Sequence, residues 1–97
     1  MFLEIVTPEA ILFSSEVDSF SVPGINGEFQ MLNNHAPVVS ILREGTVKIH
    51  IHTQEHLEMD KISGHLQAHI DDDKILTLAI TSGTLELNEN KAIILAD

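Results

Sequence analysis

Hydrophobic positions along this chain recur with a period of two. Between Thr46 and His52, Val47, Ile49 and Ile51 alternate with Lys48, His50 and His52, the pattern of a strand with one face buried and the other in water. Thr84 to Leu87 and His65 to Ile70 alternate in the same way. Phe2 to Val6, Ile11 to Phe13, Glu28 to Leu32, Val38 to Leu42, Ile75 to Ile80 and Ala92 to Leu95 are further short apolar runs. Turn-forming residues separate them: Pro23-Gly24, Asn26-Gly27, Asn33-Asn34, Glu44-Gly45, Ser82-Gly83 and Asn88 to Asn90. Asp71-Asp72-Asp73-Lys74 reads as a hairpin tip with solvated carboxylates. Between Glu16 and Val22 the alternation slips, with Val17 in one phase and Phe20 and Val22 in the other, which predicts a β-bulge.

Turns this frequent leave no space for long helices. Each strand buries one face and needs a second layer to cover it, so the pattern predicts an all-β, two-sheet β-sandwich of about ten short strands. No linker, repeat or low-complexity stretch interrupts the pattern, and residues 1–97 read as one domain. A chain of this length buries roughly 60 to 65% of the surface its unfolded form exposes, enough for one core.

Composition narrows the function more than the fold. Fifteen acidic residues against five basic ones give a formal net charge of −10, which repels nucleic-acid phosphates and anionic membrane surfaces. Without Cys there is no disulfide framework and no thiolate metal site, as fits a reducing compartment. The first ten residues carry two Glu and no Lys or Arg, unlike a signal or transit peptide. No segment is long and apolar enough for a membrane-crossing helix.

Candidate chemistry is sparse. His50 and His52 share one strand face, and so do His65 and His69, with His56 nearby in sequence. The spacing permits a metal site without defining one, because no zinc or calcium loop pattern accompanies it. Surface or structural histidines are the favoured reading, and a free-standing His-rich metal- or ligand-binding sandwich is the alternative. Ser14, Ser15, Ser19, Ser40 and His35 lie in no Gly-x-Ser-x-Gly frame. The Gly24 to Gly27 stretch is too short for a Walker loop and lacks its Lys. No catalytic residue, cofactor or metal is therefore expected, and binding through loops and one sheet face is the work left for the chain.

Three blocks carry a resemblance. The first is Leu3-Glu4-Ile5-Val6-Thr7-Pro8-Glu9, followed by Ile11-Leu12-Phe13 and Glu16-Val17-Asp18-Ser19. The second is Val22-Pro23-Gly24-Ile25-Asn26-Gly27-Glu28-Phe29, leading to Leu32-Asn33-Asn34-His35-Ala36-Pro37. The third is Ser82-Gly83-Thr84-Leu85-Glu86-Leu87, ending in Ile94-Leu95-Ala96-Asp97. In this order they resemble the N-terminal domain of the epsilon subunit of F-type ATP synthases, a ten-stranded β-sandwich.

The resemblance implies a non-catalytic rotor role at the foot of the central stalk, with two partners: the gamma subunit and the membrane c-ring. It implies that the loop from Gly24 to Met31, with Gly27 and Glu28, contacts the ring and that His35 lies near gamma. It further implies a place peripheral to the membrane, on the cytoplasmic side of the bacterial inner membrane, and a part in coupling proton or sodium flow to ATP synthesis. Many bacterial members continue into a C-terminal helical hairpin that can inhibit hydrolysis; this sequence stops at Asp97, so that regulation is not expected from it. Thr53 to Ile80 is longer than the family's usual stretch, which predicts an extra hairpin within 53–80. Ser82 stands where Gly is common, and Asn33-Asn34 replaces a frequent Pro-containing pair.

Overall fold

The computed structural model describes residues 1–51, 67–69 and 72–97. Its strands are β1 (Phe2–Val6), β2 (Ile11–Glu16), β3 (Ser19–Gly24), β4 (Gly27–Leu32), β5 (Val38–Leu42), β6 (Gly45–His50), β7 (Gln67–His69), β8 (Asp72–Ile80), β9 (Gly83–Asn88) and β10 (Lys91–Ala96). Ten strands and an all-β fold agree with the period-two reading, and among the described residues there is no helix. The antiparallel pairing of β7 with β8 supplies a hairpin within 53–80. Asp72, Asp73 and Lys74, expected at its tip, belong to β8, and Asp71 lies outside the described residues.

Hydrogen bonding follows one curled path, β2-β1-β10-β9-β5-β3-β6-β8-β7, with β4 added beside β3. The path narrows between β5 and β3 to the single pair Gly24 and Leu42, supported by the Arg43 N–H donating to the Pro23 carbonyl at 2.8 Å. That junction divides it into two layers. Sheet one is β2-β1-β10-β9-β5, and sheet two is β4-β3-β6-β8-β7. One core cluster fills the space between them: Leu3, Ile5, Phe13, Leu85 and Ile94 from sheet one meet Phe20, Val22, Val47, Ile49 and Leu78 from sheet two. Most of these side chains are fully buried, and burying each Val, Leu, Ile or Phe contributes roughly 1.5–3 kcal/mol.

The chain crosses between layers four times, at β2–β3, β4–β5, β5–β6 and β8–β9, and two of these crossings are corners held by close contacts. At the first, the Val17 N–H donates to the Met1 carbonyl at 2.8 Å, and the next N–H, of Asp18, donates to His50 in β6 at 2.9 Å. Adjacent residues thus bond to opposite sheets. The phase slip between Glu16 and Val22 marks this crossing between β2 and β3, not the bulge that alternation suggested. The bulge lies earlier: Ile5 pairs with Phe13 but Val6 pairs with Ile11, leaving Leu12 as the extra residue on β2. Leu12 and Phe13 are both buried as a result. The second corner is the Arg43-Glu44 bend between β5 and β6, where a Cβ on Gly45 would meet the Pro23 Cβ at 2.6 Å.

Candidate functional site

The β3–β4 hairpin carries the expected loop. Gly24 pairs with Gly27, so Ile25 and Asn26 alone form its tip. Gly27 adopts φ +123° and a Cβ there would meet nothing within 4 Å; the requirement for glycine is conformational, not spatial. Gly24 is the reverse case, since a Cβ would lie 2.6 Å from the Phe29 ring and 2.9 Å from the Gly27 carbonyl oxygen. The tip projects from the corner where Gly24 joins the two sheets. The tip is thus tied to the junction between the sheets, while Ile25 stays 56% exposed.

Glu28 leaves the outer face of β4 close to that tip. Its Oε1 lies 3.7 Å from the Lys48 Nζ, with the two side chains 53% and 42% exposed. Lys48 is two strands away, on β6, and pairs with Ser21 of the intervening β3. The pair therefore straddles β3, above a shallow groove lined by Ser21, Gln30 and His50. Ser19 and Ser21 are buried on this face, and the Gln30 amide donates to the Ser19 hydroxyl at 3.3 Å.

His35 sits beyond the other end of β4. The strand spans about 17 Å at ~3.4 Å per residue, so the two expected contact points, Glu28 and His35, are held apart. Asn34, at φ 63°, turns the chain, and the His35 N–H donates to the Leu32 carbonyl at 3.2 Å. The Asn34 N–H donates to the Asn90 side-chain oxygen at 2.8 Å, and the Asn90 amide donates to Asn33 Oδ1 at 2.9 Å. These bonds dock the loop on the β9–β10 turn, whose Glu89 and Asn90 both have positive φ, as a two-residue type I′ turn requires. His35 Nδ1 lies 2.7 Å from the Ala36 carbonyl. A carbonyl only accepts, so Nδ1 is the donor in this contact, and the residue as a whole is exposed.

A third region was not singled out by sequence reasoning. On the outer face of sheet one, Ile11, Val6, Leu95, Thr84 and Ile41 lie side by side across β2, β1, β10, β9 and β5. The next row is Ser14, Glu4, Ile93, Glu86 and Val39. Val39 is 81% exposed, Ile41 61%, Ile11 56% and Leu95 55%. At ~4.8 Å per strand each row is about 19 Å long, and exposed apolar side chains alternate there with Ser14, Glu4, Glu86 and Thr84; exposed apolar residues gathered on one face among polar ones are a feature of interaction surfaces. The signal was in the sequence: Val38-Val39-Ser40-Ile41-Leu42 and Ala92-Ile93-Ile94-Leu95 do not alternate, and near-continuous apolar runs belong to strands covered on both faces.

Of the histidines considered for a metal, His52, His56 and His65 lie outside the described residues, as does the side chain of His69. Among the described residues no three His, Asp or Glu side chains are grouped to hold an ion, and no helix is long and apolar enough to cross a membrane.

Residues 1–64 match the family model described as "ATP synthase, Delta/Epsilon chain, beta-sandwich domain". The ATP synthase epsilon chain of Chlorobaculum tepidum is 34% identical over 95 residues, covering 98% of this chain and 86% of that one. The ATP synthase epsilon chain of Campylobacter curvus is 36% identical over 97 residues, but this chain spans only 60% of its length. Several other relatives are likewise spanned for little more than half their length, as with 57% for that of Desulforamulus reducens. In fold, the chain is similar to one in the central stalk/c-ring structure of the Tetrahymena thermophila mitochondrial ATP synthase, with a TM-score of 0.70 at 16% identity over 99% of this chain and 62% of the other.

Proposed function

The chain belongs to the delta/epsilon-chain β-sandwich family of ATP synthase subunits, and from that premise we propose that it is a non-catalytic subunit of the central stalk that joins the gamma subunit to the membrane c-ring. In this role it supports the coupling of proton or sodium flow to ATP synthesis made on other subunits. It works from a position peripheral to the membrane, on the cytoplasmic side of the bacterial inner membrane.

The observation that carries the proposal is the uncovered apolar outer face of sheet one. Inner and outer faces of β5 and β10 are both apolar, yet among the described residues only the inner face is covered. Gamma covers the outer one in this reading, along Val39, Ile41 and Leu95, with His35 at the margin where its loop meets β9 and β10. The hairpin, with Ile25 at its tip and Glu28 beside it on β4, points to the ring in this reading. Two interdigitated sheets joined at tight corners make a stiff spacer between the partners, as torque transfer requires. Specific stable interfaces bury about 1,200–2,000 Å² in total, so a gamma contact of that size would use much of one sheet face.

The test is recovery of both partners by tagged protein from solubilised membranes. A Val39→Glu/Ile41→Glu variant is expected to lose gamma, and Glu28→Arg to lose the ring while keeping gamma. Retention of gamma by the double variant would overturn the placement of the gamma contact. Recovery of neither partner by the unsubstituted protein, from extracts that keep the synthase intact, would overturn the stalk assignment.

A further inference from the structure

We propose that Lys48 is a built-in competitor for Glu28 that weakens the ring contact and sets its dependence on salt. The inference rests on the reading of Glu28 as a ring-contacting residue and adds a second residue, on a different strand, that regulates the same contact.

The geometry is that of a loosely held pair. At 3.7 Å the Lys48 ammonium is farther from Glu28 Oε1 than the ~2.7–2.9 Å of a charge-assisted hydrogen bond. Glu28 thus keeps most of its acceptor capacity for an incoming cation, and it needs no rearrangement of the hairpin to offer it. Lys48 cannot simply leave: its register with Ser21 in β3 and Thr77 in β8 fixes its Cα on the same outer face as Glu28. Any basic group that reaches Glu28 therefore approaches a second positive charge, and must displace Lys48 or share the carboxylate with it. Both costs are electrostatic, between half-exposed groups, and so fall as salt screens them.

Position, not charge alone, distinguishes this from the chain's overall acidity. Lys91 carries the same charge on the outer face of sheet one, its Nζ 5.9 Å from the Phe2 ring centroid. Replacing either lysine changes net charge equally, but only Lys48 faces Glu28.

The experiment measures binding of the full chain to purified, immobilised c-ring from the same source, between about 50 and 300 mM salt, over which the Debye length falls from roughly 14 to 6 Å. Unsubstituted protein is compared with Lys48→Met, Lys91→Met, Glu28→Gln and Glu28→Gln/Lys48→Met. The expected result is that Lys48→Met binds about two- to five-fold tighter at low salt, the range open to an exposed ion pair. The gain should shrink at high salt, exceed that of Lys91→Met, and vanish in the Glu28→Gln background. Equal gains for both lysine variants, or weaker binding by Lys48→Met, would overturn the competitor role while leaving the Glu28 contact standing. Unchanged binding by Glu28→Gln would instead remove the ring reading of Glu28 on which the role depends.

Discussion

The outer faces of the two sheets differ although their inner faces are alike. Both inner faces supply fully buried Leu, Ile, Val and Phe to one core. Outside, the described residues of sheet two are mostly polar, Glu28, Gln30, Thr46, Lys48 and His50, with Leu32 at the end of β4 as the one large apolar side chain more than half exposed. Sheet one presents Ile11, Val39, Ile41 and Leu95, all more than half exposed. Folding of a sandwich needs only the inner faces. In the proposed role gamma covers the apolar residues of sheet one, and the contrast then gives different tasks to the two sides of one small body.

Substitutions can break or sharpen that contrast, beginning with the largest effect. Phe20→Ala, on the shared core, is expected to cost about 3–5 kcal/mol in urea unfolding, whereas Ile41→Ala on the outer face of sheet one should stay within about 0.5 kcal/mol. If Ile41→Ala costs as much as a core change, the outer face is covered within the chain and the contrast fails. At the corner joining the sheets, Gly24→Val should cost about 1–3 kcal/mol, because its side chain would collide with the Phe29 ring and the Gly27 carbonyl. Glu89→Asn should stabilise by some part of the ~1–2 kcal/mol that a left-handed conformation costs most residues, since Asn tolerates the φ of 51° that Glu89 adopts in the β9–β10 turn; a loss of stability would contradict the turn geometry. Least of all, Lys48→Met should change folding stability by no more than about 1 kcal/mol, even though it alters binding.

Much of the fold was legible because one-sided burial writes itself as alternation. β6 reads directly from Val47, Ile49 and Ile51, and β5 begins and ends where the apolar run does, at Val38 and Leu42. Corners were not legible. The slip around Val17 looks like a bulge until Val17 and Asp18 are seen to bond to different sheets, and the true bulge at Leu12 is concealed inside a plain apolar run. The site divides in the same way. Gly27 announces a tight turn by its residue type, but the Glu28–Lys48 pair depends on β3 lying between β4 and β6, a long-range pairing that no local pattern records. The apolar outer face did have a local sign, the missing alternation in β5 and β10, whose meaning emerges once one side of each strand is seen to face water.

The most direct test of the central claim, that the outer face of sheet one is a docking surface for gamma, pairs Val39→Glu/Ile41→Glu with Thr46→Glu on the outer face of sheet two. Each variant is measured for gamma recovered from solubilised membranes and for its urea midpoint. The account predicts that the double variant loses gamma with little change in midpoint, while Thr46→Glu retains it. Undiminished gamma recovery by a folded double variant would contradict the claim.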